Sequence, residues 1–150
     1  IKKSFEGMFL SQTLLSQYII EKMDKGGSIV NITSMYGKVS PRERDYPKLD
    51  LMNPLIYGAM KAALIQSSKW LSSKYGTKGI RVNSVSFGPF PSLKVQKEFP
   101  DFIKNLSSNT HLNRIGSPSE ASGIIKFLIS EESSFITGAD IPVDGGWTSW

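Results

Sequence analysis

The chain has 150 residues, 39% of them hydrophobic and 21% charged, the composition of a folded globular unit with one buried core. It contains no cysteine, which excludes disulfides, thiolate catalysis and zinc-thiolate sites and fits a reducing cytoplasm. The formal net charge is +5, but the lysines are scattered along the chain rather than gathered into a stripe, so a nucleic-acid-binding module is disfavoured. No apolar run approaches the roughly 20 residues needed to span a bilayer, and no charged-then-apolar signal sequence opens the chain. The chain starts at Ile1, inside what already reads as a helix, so the protein is expected to begin upstream.

Ser4 to Met23 carries Phe5, Met8, Phe9, Leu15, Tyr18 and Ile19 at steps of three and four and closes at Gly26-Gly27, which predicts an amphipathic helix with a glycine stop. Ser28 to Ser34 is β-branched and nearly continuously apolar, as expected of a central parallel strand. Gly37 to Pro54 breaks all periodicity with three prolines and the string Arg42-Glu43-Arg44-Asp45, and reads as a long surface loop. Pro54 is expected near the start of a second helix, Leu55 to Tyr75, punctuated by Gly76 and Gly79. Ile80 to Phe87 predicts a second buried strand, followed by the turn Gly88-Pro89-Phe90-Pro91 and a mobile-looking segment through Asn113. Ser117-Pro118-Ser119-Glu120 offers an N-cap and a first-turn proline for a helix to about Ser130, and Ala139 to Val143 makes a last strand. Helix and strand alternate as in an α/β fold with a parallel sheet.

Tyr57 and Lys61 stand four apart on one predicted helix, so both side chains leave the same face. A free tyrosine has a pKa near 10 and is ionised at about one part in a thousand at neutral pH; a nearby cation is what makes a phenol a usable acid/base. The spacing alone is weak, since Tyr18 and Lys22 repeat it. Context separates the pairs. The strand before the second helix ends in Thr33-Ser34, and in open parallel sheets ligands gather at the carboxyl ends of strands, where Ser34 offers a neutral donor to a substrate oxygen.

Four segments then carry a resemblance: Gly27-Ser-Ile-Val-Asn-Ile-Thr-Ser34, Tyr57-Gly-Ala-Met-Lys61, Gly79-Ile-Arg-Val-Asn-Ser-Val85 and Ile136-Thr-Gly-Ala-Asp-Ile-Pro-Val-Asp-Gly-Gly146. Together and in this order they resemble the second half of the short-chain dehydrogenase/reductase family. The resemblance implies one partial domain over residues 1–150: the C-terminal, catalytic part of a Rossmann-type doubly wound parallel sheet in three layers, with the nucleotide-binding half missing. It also implies an NAD- or NADP-dependent oxidoreductase acting on an alcohol/ketone pair, working as a homodimer or homotetramer. Tyr57 would be the acid/base, Lys61 would lower its pKa and bind the nicotinamide ribose, and Ser34 would orient the substrate oxygen. Gly88, Pro89 and Ser92 would cradle the nicotinamide carboxamide, and Tyr36 and Phe90 would face the substrate.

The chain departs from the family pattern in three places. Ser4 stands where the family has a relay asparagine, so Ser4 is carried as a catalytic candidate with a shortened relay. Phe87 replaces a proline, and the Lys38–Leu55 loop is longer than usual. That insertion, with Asn53-Pro54 and the ending Gly-Gly-Trp-Thr-Ser-Trp, is similar to members that modify bacterial surface sugars. No glycine-rich phosphate turn occurs between a strand and a following helix, so an incomplete or merely oligomerising protein of the same fold is the second reading. Arg42, Arg44 and Lys48 read as solvated loop charges. His111 lacks partners at ligand spacing, so no metal site is expected. Trp147 and Trp150 are expected as core or subunit-contact anchors.

Overall fold

The structure is a computed structural model that describes residues 2–46 and 52–150. Its elements are α1 (Lys2–Phe5), a π-helical segment (Glu6–Leu10), α2 (Ser11–Ile20), β1 (Gly27–Ser34), α3 (Leu55–Tyr75), β2 (Ile80–Phe87), α4 (Leu93–Glu98), α5 (Pro100–Ser108), α6 (Pro118–Ile129) and β3 (Asp140–Val143). The three strands are parallel in the order β1-β2-β3, with Ser28 level with Arg81 and Ser84 level with Asp140.

Alternation along β1 assigns its two faces. Asn31 donates to Ser68 on α3 at 2.9 Å, whereas Ser28 donates to the Leu128 carbonyl of α6 at 2.7 Å. Helices therefore cover both faces, giving the expected three layers. Arg81 reinforces the α6 side: its guanidinium donates to the carbonyls of Leu128 and Ser130 and to Ser133, placing a cation where the helix dipole is negative. Ile20, Leu71, Tyr75, Ile80 and Val82 form one core cluster, and Met35, Tyr36, Leu106 and Trp147 form a second.

The sheet also holds a buried carboxylate. Asp140 accepts from Ser84 at 2.7 Å and from Ser86 at 2.8 Å, while Lys38 lies 3.1 Å away. Thr33 and Ser86 share a 2.9 Å bond, so one acid ties all three strands to the turn after β1.

The structure corrects several boundaries. The first helix closes at Ile20 rather than Met23 and widens into a π turn around Gly7, whose carbonyl accepts from Ser11. The segment expected to be mobile is helical over α4 and α5. Ser92 caps the first by accepting from the Val95 N–H, Pro100 opens the second, and Phe102, Ile103 and Leu106 pack inward. One short 3-10 turn, Met35–Gly37, leads into the long loop, and a second, Glu43–Asp45, lies within it. Lys48, expected as a solvated charge, lies outside the described residues. Trp147 is a core residue, whereas Trp150 is 78% exposed.

Candidate active site

Ser34 is the last residue of β1, buried, and its hydroxyl accepts from the Tyr36 N–H at 3.2 Å as the cap of the following turn. Pro54, in extended conformation, starts α3 without continuing it backward, and its carbonyl accepts from the Tyr57 N–H at 2.9 Å. Tyr57 therefore sits in the first turn of a 21-residue helix, at its positive end.

The close approach of that helix to the strand end depends on Gly58. A Cβ at this position would lie 2.6 Å from the Tyr36 carbonyl oxygen, closer than any side chain tolerates. Gly88 makes a second such approach, where a Cβ would fall 2.5 Å from the Cα of Asp144.

Ser34 and Tyr57 line one cavity of about 280 Å³, together with Tyr36, Gly88, Pro89 and Phe90. Lys61 lies one turn behind Tyr57, its amine 5.9 Å from the centre of the Tyr57 ring and donating to the Ile32 carbonyl at 2.9 Å. Partial burial lowers the pKa of this lysine from its usual value, because desolvation penalises the ammonium. Ser34, Tyr57, Tyr36, Gly88, Pro89 and Phe90, all singled out in the sequence, thus meet around one space. Ser92 and Ser4 do not line it. Ser92 is an exposed cap, and Ser4 is half-buried on α1, with no hydrogen bond to Ser34, Tyr57 or Lys61 among the described residues.

Sequence reasoning missed Met35, Tyr46, Asn53, Val95, Phe102 and Leu106, which with Pro91 complete the cavity wall. It also misjudged Arg42. Rather than being solvated, Arg42 donates to the buried Asp45 at 2.9 Å and to Asn109, and its guanidinium lies 5.3 Å from the centre of the Trp147 ring. The spacing of Arg42 and Asp45 was a usable signal for the ion pair; nothing local signals Asn109, 67 residues on.

A larger cleft of about 430 Å³ shares Pro89 and Phe90 and is lined by His111, Arg114, Glu120 and Asp144. Its acids are already engaged. Asp144 accepts from the N–H groups of Gly146 and Thr148, and Glu120 takes a two-pronged contact from Arg114 and the Ser117 N–H. Among the described residues no group of three or more histidines, cysteines or acids is placed to hold a metal.

The Arg114 guanidinium, with the Ser117 N–H, holds the Glu120 carboxyl at about 2, below its ordinary 4.5. A depressed carboxylate contributes stability that is complete above its ordinary pKa and lost as pH falls toward the folded value. The contribution of this exposed pair is therefore expected to disappear between about pH 4.5 and 2. Carboxyl-carbon NMR should place Glu120 near 2, and Arg114→Ala should return it to the ordinary range. A wild-type titration near 4.5 would show that the pair does not persist in solution.

The family model described as enoyl-(acyl carrier protein) reductase, within the short-chain dehydrogenases, matches residues 1–148. The chain belongs to the short-chain dehydrogenase/reductase family. It is 34% identical over 142 residues to an uncharacterised oxidoreductase of Bacillus subtilis, covering 89% of this chain and 48% of that protein. It is 30% identical to galactitol 2-dehydrogenase (L-tagatose-forming) of Cereibacter sphaeroides, covering 97% of this chain and 54% of that one. The crystal structure of a short chain dehydrogenase from Leptospira borgpetersenii with bound NAD+ superposes with a TM-score of 0.83 at 34% identity, covering 94% of this chain and 53% of that chain. The chain therefore spans about half the length of the curated relatives it matches. Its fold is the Rossmann-type parallel sheet of this short-chain dehydrogenase/reductase family.

Proposed function

We propose that this chain is the catalytic half of an NAD- or NADP-dependent oxidoreductase that interconverts an alcohol and a ketone, with a nucleotide-binding half lying outside the present sequence. The observation that carries the reading is the shared cavity: Ser34 from a strand end and Tyr57 from a helix start open into the same space, with Lys61 behind the phenol.

The residues present fit the nicotinamide end of such a cofactor. β1 stands at the edge of the described sheet, and Ile32 is 45% exposed on the face opposite α3. The Lys61 amine is already at this edge, on the Ile32 carbonyl, within the reach of a ribose hydroxyl's chemistry. Gly88 and Pro89 line the same cavity as Tyr57 and Ser34. When bound, the cofactor supplies a two-electron hydride acceptor or donor.

The chain's own residues would handle the proton and the alignment. In oxidation Tyr57 takes the proton of the substrate hydroxyl as the carbon loses hydride; in reduction it returns one to the carbonyl oxygen. Ser34 accepts from a backbone N–H, which leaves its O–H free to donate to the same substrate oxygen and hold it against Tyr57. Lys61 places positive charge behind the phenol and opposes the negative charge left when the proton departs. Ser4 and Ser92 enter this scheme only as an outer proton path and a cofactor-side hydroxyl.

Cytoplasmic location agrees with the absence of cysteine, and among the described residues no helix is long and apolar enough to cross a membrane. The exposed ridge of Leu14, Leu15 and Tyr18 supports a homodimer or homotetramer.

The test is a spectrophotometric assay of the full-length protein with either nicotinamide cofactor and a panel of secondary alcohols and ketones. Reversible change in reduced-nicotinamide absorbance, abolished by Lys61→Met, is the expected result. Tight cofactor binding with no turnover across the panel would sink the proposal.

A further inference from the structure

The cavity wall carries a polar group that the proposed proton transfer does not use. The Tyr36 and Tyr46 hydroxyls lie 2.7 Å apart, and the Asn53 side-chain amide donates to the Tyr46 oxygen at 3.3 Å. All three residues line the same cavity as Ser34 and Tyr57. A proton count shows what this arrangement leaves over. Two phenols bring two protons, and one of them is spent between the rings, whichever ring donates it. The other O–H has no acceptor among the described residues, and it belongs to a cavity-lining side chain. Burial and the Tyr46 contact push the Tyr36 phenol well above its ordinary pKa, so it remains a neutral donor at every working pH. Met35, Phe90, Pro91, Val95, Phe102 and Leu106 supply apolar side chains to the same wall.

This polar group is also braced. Tyr46 packs its ring on Phe102 with centres 5.3 Å apart, and it directly follows Asp45, which is 3% exposed. Asp45 accepts from Arg42 at 2.9 Å and from Asn109 at 2.8 Å, and Arg42 in turn contacts Asn109 and lies over Trp147. A buried carboxylate paired in this way is costly to break, because removing one partner strands the other. The clasp joins the loop after β1 to the end of α5 and to the C-terminal turn, and it holds the Tyr46 phenol in register with Tyr36.

We infer that Tyr36, Tyr46 and Asn53 form a second polar subsite, which takes a substrate oxygen other than the one that reacts, with Tyr46 as its specificity-determining residue and the Arg42–Asp45–Asn109 clasp positioning it. The substrate class is then an alcohol with a further hydroxyl or carbonyl group near the reacting carbon, of the diol or polyol kind. A simple secondary alcohol satisfies Ser34 and Tyr57 but offers this donor no partner, whereas a second oxygen on the substrate gains one further hydrogen bond. The inference rests on the function proposed above.

The test compares cyclohexanol with its vicinal diol in the full-length protein, wild type against Tyr46→Phe. The variant keeps the ring and its packing on Phe102 and removes the hydroxyl of the more open of the two tyrosines; the O–H that remains belongs to Tyr36, which is only 7% exposed. KM for the diol is expected to rise about fivefold to tenfold, the effect of one neutral hydrogen bond, while kcat for the diol and both constants for cyclohexanol stay within about twofold. An equal change for both substrates, or for neither, overturns the subsite. Asp45→Asn should raise KM for the diol in the wild-type background and add nothing further in the Tyr46→Phe background; additive effects overturn the positioning role of the clasp. Calorimetric binding of the diol and of cyclohexanol to wild type and Tyr46→Phe separates this inference from the reading it rests on. If neither compound is turned over but the diol binds more tightly in a Tyr46-dependent way, the reaction is wrong and the subsite stands. If turnover occurs with no preference for the diol in either measurement, the reaction stands and the subsite is wrong.

Discussion

Tyr57→Phe in the full-length protein is expected to lower turnover about a thousandfold while leaving nicotinamide affinity within a few-fold. The substitution removes a single oxygen. The phenyl ring still fills its place in the cluster with Met35, Tyr36 and Leu106, and the helix start at Pro54 is untouched, so stability should change little. What is lost is the hydroxyl proposed to exchange a proton with the substrate in the space shared with Ser34. General acid/base catalysis contributes about a hundredfold to ten-thousandfold, which sets the size of the effect. Steady-state kinetics with a fluorescence titration of the reduced cofactor would measure both quantities. Retained turnover would remove Tyr57 from the chemistry, and lost cofactor affinity would mean that the ring's main work is binding.

Gly58→Ala tests the geometry rather than the chemistry. Alanine in place of glycine inside a helix is ordinarily worth about 1 kcal/mol of added stability. Here the new Cβ would lie 2.6 Å from the Tyr36 carbonyl oxygen, with backbone on both sides of the contact and no flexible side chain to yield. Overpacking of this kind costs about 1–3 kcal/mol, so the clash is expected to outweigh the propensity gain. Relief requires α3 to back away from the turn after Ser34, and this shift carries Tyr57 with it. Misplacement on the ångström scale can cost about a hundredfold in rate, so turnover should fall by about one to two orders of magnitude along with stability. The internal control is Gly123→Ala on α6, where an added Cβ meets nothing within 4 Å and a gain of about 0.5–1 kcal/mol is expected with activity unchanged. Denaturant melts and kcat on the two variants decide the matter. If Gly58→Ala behaves like Gly123→Ala, the close approach is not what sets the site.

By itself the sequence determined the parts whose causes are local. The β-branched run ending at Ser34 and the run from Ile80 to Phe87 are strands because their residues suit a sheet covered on both faces, and both were legible to within a residue. The Ser117-Pro118-Ser119-Glu120 start of α6 was legible because a capping box acts over four residues. The placement of Tyr57 and Lys61 on one helical face follows from the pitch of the helix alone.

Only the tertiary structure decided the rest. The helices α4 and α5 are short, and Phe102, Ile103 and Leu106 gain from being helical only once there is a core beneath them to bury against. Arg42 looked like a loop charge because its second partner, Asn109, is 67 residues away. Tyr46 and Asn53 carry no periodic signature at all, yet they complete the wall of the cavity that Ser34 and Tyr57 open into. Short-range preferences are written in neighbouring residues, whereas a cavity is built from side chains that meet only after the chain has closed its long loops, and the energy that favours those meetings is absent until it has.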